Sequence, residues 1–230
     1  MALVFGAQTN GGAGGGSVNT EVFSHTISAG TNKMLLVCVS SEDSTATDRD
    51  VVSVTLSSTT TSAMTRAINP VITGSCEIEW WYLLEPPAGV HEVVIVWAGI
   101  PSSGGGTAIH YLNVDQLAPT PTASNIASST DTINQTITTT ALNQVIFTGI
   151  NHNVDTVTFT NDGSQVERSD FDAGLHRQAT STLDATTISE YTVGAVASAS
   201  ATSLAMAIIC ISPSTDTTKI STMALMGVGT

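Results

Sequence analysis

The sequence predicts an all-β protein, an antiparallel β-sandwich of about ten strands, on three observations. Apolar and β-branched residues recur in short runs, several alternating with period two, as where Val52, Val54 and Leu56 interleave with Ser53, Thr55 and Ser57. Turn-rich stretches separate these runs throughout the chain. No segment carries the periodic blocks of Ala, Leu, Glu, Lys and Gln that long helices need.

The first strand is expected at 18–27, ending in the turn Ala29-Gly30-Thr31-Asn32. Residues 34–39 form a nearly continuous apolar run, the mark of a strand covered on both faces. A polar, acidic loop at 41–50 leads to the alternating strand around Val54. Residues 76–84 make the next strong strand, closed by Glu85-Pro86-Pro87-Ala88-Gly89, where the prolines cannot donate to a ladder. The chain returns over 90–97, and a glycine-containing stretch at 99–106 is expected to break it. Further strands are expected at 107–114, 126–138, 141–150 and 154–159, the last running into the turn signal Asn161-Asp162-Gly163. Residues 188–196 and 204–211 complete the set before Pro213. No fixed-period repeat is visible. The expected organisation is a Gly-rich arm at 1–17, one sandwich domain at 18–213 and a tail at 214–230.

Composition narrows the function classes. Of 230 residues, 11% are charged and 41% hydrophobic, so Ser, Thr, Asn and Gly must supply surface polarity. Nineteen acids oppose six bases, a net charge of −13. Nucleic-acid phosphates and anionic lipid surfaces repel such a chain, and its scattered bases form no stripe, so neither partner is expected. No apolar run approaches the roughly 20 residues needed to span a bilayer, so no membrane insertion is expected. The N-terminus lacks the basic and apolar regions of a secretory signal, so synthesis in a cytoplasm is expected. Cys38, Cys76 and Cys210 are too few and too widely spaced for a disulfide framework, and read as buried, reduced thiols.

The segment Trp80-Trp81-Tyr82-Leu83-Leu84-Glu85-Pro86-Pro87-Ala88-Gly89-Val90-His91-Glu92-Val93-Val94-Ile95-Val96-Trp97 resembles a loosely defined group of jelly-roll-like sandwich proteins from bacterial and phage sequences. In these an aromatic strand ends in Tyr-Leu, a Pro-Pro-x-Gly turn follows, and an alternating Val strand ends at Trp. Thr31 to Val37, Val114-Asp115-Gln116 and Ala205 to Ile209 fit the same pattern; Glu85 stands where the group usually has Asn. The resemblance implies a jelly-roll-like fold and a structural role in a bacteriophage virion: capsid decoration, head fibre or tail-associated component. Its partners would be other virion proteins and further copies of itself; the alternative reading, from the surface aromatics rather than the resemblance, is a carbohydrate-binding module or adhesin with host glycans as partners.

Glu77 and Glu79 are the strongest candidates for catalysis. On a strand they share a face about 7 Å apart, with Trp81 beside them, and paired carboxylates near an aromatic suit glycoside hydrolysis. The Glu-x-Asp-x-Glu strand of the laminarinase-like family is not reproduced, because Trp81 replaces the last acid and the central Asp is missing. The two acids therefore read as charges on a solvent-facing strand edge, and no enzyme activity is expected. Trp81 and Leu83, opposite in sense to Trp80 and Tyr82, could cover a second sheet, meet a neighbouring subunit or stack on a sugar ring. These four residues, Trp81, Leu83, Glu77 and Glu79, are the expected interface or glycan contacts. Glu42, Asp43, Asp48 and Asp50 match no calcium-loop spacing. The five histidines form no ligand pattern, and no Gly-x-Ser-x-Gly elbow or phosphate loop is present. No cofactor and no metal are expected.

Overall fold

The computed structural model describes residues 1–14, 18–57, 60–127 and 130–215. The described residues are all-β, with eighteen strands in antiparallel sheets and one short helix, α1 (Ala46–Arg49). The strands are β1 (Val4–Gly14), β2 (Thr20–Ile27), β3 (Met34–Glu42), β4 (Val51–Ser57), β5 (Thr61–Ala63), β6 (Thr65–Arg66), β7 (Val71–Thr73), β8 (Cys76–Leu84), β9 (Gly89–Trp97) and β10 (Ser103–Leu112). They continue as β11 (Thr122–Ala127), β12 (Thr130–Thr138), β13 (Gln144–His152), β14 (Phe159–Asn161), β15 (Val166–Asp172), β16 (Arg177–Ala185), β17 (Glu190–Ala201) and β18 (Leu204–Ile211).

Four sheets stack in layers. In the N-terminal half, an inner sheet ordered β1-β10-β3-β8-β6, with β7 also on β8, faces an outer sheet ordered β2-β9-β4-β5. In the C-terminal half, an inner sheet ordered β11-β18-β13-β16-β15 faces an outer sheet ordered β12-β17-β14. Each half has the jelly-roll order; β15 stands on β16 where β6 and β7 together stand on β8, and β5 has no counterpart. The strands β8, β9 and β10 begin at 76, 89 and 103, and β16, β17 and β18 at 177, 190 and 204, so the intervals recur.

The two inner sheets pack on each other with a pseudo-two-fold relation. β1 lies against β15 and β7 against β11; β10 lies against β16 and β8 against β18; β3 crosses β13 at the centre. These contacts pair up as in an isologous dimer, while β8 also lies against β13 and β7 against β18. Three apolar layers follow: Leu35, Val37, Ile95 and Trp97 between the N-terminal sheets, Ile133, Ile146, Val193 and Ile208 between the C-terminal sheets, and Cys38, Ile78, Trp80, Phe147 and Ile209 in the central seam. Burying that much Val, Ile and Leu surface at roughly 25 cal/mol per Å² is the main force holding the stack.

The seam is not uniform. On its β8–β18 side it is apolar, and the Trp80 indole N–H donates to the Ala207 carbonyl at 3.1 Å. On its β10–β16 side it is hydrogen-bonded. Ser40 donates to Gln178 Oε1 at 2.8 Å and so accepts from His176 Nε2–H, while Ser103 donates to His176 Nδ1. Burial drives the His176 pKa down to about 3, so this ring is neutral.

Several expectations change. The Gly-rich arm is largely the strand β1, paired with β10 from Val4 to Gly14; residues 15–17 lie outside the described residues. Gly104 and Gly106 do not break a strand but belong to β10. A Cβ at Gly104 would stand 2.7 Å from the Trp97 ring, and one at Gly106 would stand 2.7 Å from Ile95 Cδ1, so glycine is needed for the outer sheet to close. The run expected at 126–138 is two strands, β11 and β12, in different sheets. β15 and β16 were not expected, because the buried positions Gln178, Thr180, Ser181 and Thr182 carry no apolar signal. The 214–230 tail lies outside the described residues beyond Thr215.

Candidate functional site

β8 places its odd and even residues on opposite faces. Cys76, Ile78 and Trp80 enter the central seam, while Glu77, Glu79, Trp81 and Leu83 point between the N-terminal sheets. The expected contacts are therefore not at the surface. Trp81 is 7% exposed, Glu77 1% and Glu79 0%, and Leu83 is half-buried against the same core. Of the three roles open to Trp81, it takes the first and covers the second sheet. The solvent-facing edge expected for the two acids is corrected by the outer sheet, which closes over them.

Two arginines from outside β8 make this burial possible. Arg49, at the end of α1, brings its Nε to 3.8 Å from Glu77 Oε2, and Arg66 of β6 brings its Nε to 2.8 Å from Glu79 Oε2. Arg66 also lies 4.9 Å above the Trp81 ring, and the indole N–H donates to Glu79 Oε1 at 2.8 Å. Further bonds anchor the arginines: Arg49 donates to the Asp43 and Gly74 carbonyls, Arg66 to that of Val51. Neither Glu77 oxygen accepts a hydrogen bond, and the Arg49 Nε–H donates none.

Burial dominates the electrostatics. It raises the Glu77 pKa to about 8, helped by the Glu79 and Asp50 charges and opposed by Arg49 and Arg66. It raises Glu79 to about 7, although Trp81 and Arg66 favour the charged form. Such shifts suit a general acid. Here, however, both carboxyls are sealed between two sheets, so the arrangement can store charge and protons but does not present them to a substrate.

A second cluster went unseen in the sequence because its members are far apart. The Ser28 backbone N–H donates to His110 Nε2, so His110 Nδ1–H donates to His25 Nε2 and His25 Nδ1–H to Thr9, at 3.0 Å each. The chain ties β1 to both N-terminal sheets. Burial lowers the His25 pKa to about 4, with His110 adding to it. Among the described residues, no group of three or more His, Cys, Asp or Glu side chains could hold a metal ion. In the acidic loop, the Asp43 carboxylate accepts from the Thr45 N–H and from the Ser102 N–H and hydroxyl, which makes it a loop brace.

The outer faces have a distinct chemistry. Val93, Ile95 and Trp97 of β9 point inward, so Glu92, Val94 and Val96 point outward, beside Thr20, Val22 and Ser24 of β2 and Ser53, Thr55 and Ser57 of β4. On the opposite outer sheet, Asn134, Thr136 and Thr138 of β12 stand beside Glu190, Thr192 and Val196 of β17. Both outer sides are largely hydroxyl and valine, with Glu92 on the first and Glu190 and the exposed Asp131 on the second. Comparison with protein-family models, with curated proteins and with solved structures gave no match.

Proposed function

We propose that this chain is a structural building block, a virion protein of a bacteriophage that decorates a capsid, forms a head fibre or joins a tail, and that acts through subunit contacts. The observation that carries the reading is where the ionisable chemistry sits: the acid pair, its arginines and Trp81 are enclosed, while the two outer faces are almost free of charge. Faces of Val, Thr and Ser lose little solvation when covered by a neighbour and can interlock without ion pairing. The hairpin from Trp80 to Trp97, similar to phage and bacterial jelly-roll-like proteins, supports the same reading. Glycan binding through Trp81 has no support from the placement of that ring.

The test is to purify native particles from a producing host, identify their proteins by mass spectrometry, and label them with an antibody to this chain under negative stain. A fixed copy number at one position on the particle is expected. Recovery of the protein only from the particle-free fraction would overturn the reading.

A further inference from the structure

Resting on the assembly reading above, we propose that β11 is a self-pairing edge, through which a second copy of this chain adds antiparallel to extend the C-terminal inner sheet across a two-fold axis.

Edge strands usually carry features that block such pairing: shortness, charge or a bulge. The other edges of this molecule do. β5, β6, β7 and β14 are three residues or fewer. β2 carries Glu21, β12 carries Asp131, and β15 carries Glu167, Arg168, Asp170 and Asp172. β1 and β15 are interrupted by register shifts. β11 has six residues, Thr-Ala-Ser-Asn-Ile-Ala, with no charge, no proline and an unbroken register to β18.

Its free backbone groups can be assigned. The Cys210 N–H donates to the Pro121 carbonyl, which makes Ala123 and Asn125 the residues bonded to β18. Thr122, Ser124 and Ile126 therefore turn their N–H and C=O groups outward. Among the described residues, only the Ile126 N–H is taken, by its neighbour Asn125 Oδ1 at 2.8 Å. An antiparallel pair centred on Ser124 sets Ser124 against its own counterpart and Thr122 against Ile126, an uncharged, self-complementary register.

The surroundings favour a second copy. An open groove of about 560 Å³ runs along β11, lined by Ile68, Pro70 and Ile72 on one side and by Ser124 and Ile126 on the other. No lining residue is ionisable, in a chain of net charge −13, so two copies can meet here without bringing acids together. Ile72 and Ile126 remain 41% and 54% exposed. The pseudo-equivalent seam, between β1 and β15, is closed: Phe5 lies 4.2 Å beneath the Arg168 guanidinium, and Asn10 accepts from Ser169. The β7–β11 seam lacks such a filling, and in this register each Ile126 meets Thr122 of the second copy at the mouth of the groove.

The experiment uses the full chain with Ser124→Cys, whose thiol would be exposed while Cys38, Cys76 and Cys210 are buried. Under mild oxidation, the expected product is a disulfide dimer of twice 23.6 kDa. Ser124→Lys, which sets two ammonium groups opposite each other, is expected to give monomers in sedimentation velocity where the wild type is dimeric, with a melting temperature equal to that of the wild type at concentrations too low for dimers. If the wild type self-associates but Ser124→Cys does not cross-link and Ser124→Lys changes nothing, the assignment to β11 fails while the assembly reading survives. If the wild type stays monomeric at millimolar concentration, self-pairing fails, and the assembly reading then stands or falls on the particle labelling.

Discussion

The Trp81 indole N–H donates to Glu79 Oε1 at 2.8 Å, from two positions further along the same face of one strand. The bond joins one of the two tryptophans of the N-terminal core to its most deeply buried carboxyl group. Trp81→Ala should therefore remove both packing and a charge partner. A loss of about 3–5 kcal/mol is expected in denaturant titration; a loss below about 1 kcal/mol would mean that the ring is not seated in the core.

The acid pair should make stability fall as pH rises. Glu77 and Glu79 have folded pKa values near 8 and 7, above the ordinary value of 4.5, so the folded state holds their protons more tightly than the unfolded chain does. Their contribution is fully present below pH 4.5 and is lost progressively up to about pH 8. Glu77→Gln should flatten this alkaline limb in melting curves taken from pH 5 to 9. An unchanged slope would show that Glu77 does not titrate with folding.

The histidines act in the opposite direction. His25 and His176, with folded pKa values near 4 and 3 against an ordinary 6.5, must be neutral to keep their bonds. Their contribution is present above pH 6.5 and declines as pH falls towards those values. His110→Asn should weaken the β1 latch, seen as faster amide exchange in Val4–Gly14 while β13 and β18 keep their protection.

Gly149 marks a close approach in the apolar seam: a Cβ there would stand 2.5 Å from Cys38 Sγ and 3.1 Å from Ile78 Cδ1. Gly149→Val should cost about 1–3 kcal/mol through overpacking. Combined with Cys38→Ala, part of that cost should return, and a double-mutant cycle that is purely additive would rule out the contact.

The three thiols offer a simple check on burial. Desolvation raises the pKa of Cys38, Cys76 and Cys210. A disulfide reagent should label none in the native protein at pH 8 and all three in guanidinium; rapid labelling of any one would contradict its placement.

Strand alternation in the sequence carried much of this architecture. It correctly separated Trp80 and Tyr82 from Trp81 and Leu83, because a strand leaves no other choice. It could not tell that both faces of β8 are covered. Glu77 and Glu79 look like surface residues, and their burial depends on Arg49 and Arg66, whose positions depend on tertiary structure. β16 escaped notice for a related reason: Gln178 and Ser181 are buried by hydrogen bonds, which leave no hydrophobic trace. The doubling of the jelly roll was hidden because the halves share strand order and hairpin length rather than residues.

The crossing of β3 over β13 ties each half's fate to the other. A substitution at Cys38 or Gly149 disturbs both halves at once, whereas one on β2 or β12 is felt only in its own outer layer. Tolerance to mutation should accordingly rise with distance from the pseudo-axis, leaving the outermost layers free to diversify while the centre stays restricted to small or closely fitted side chains.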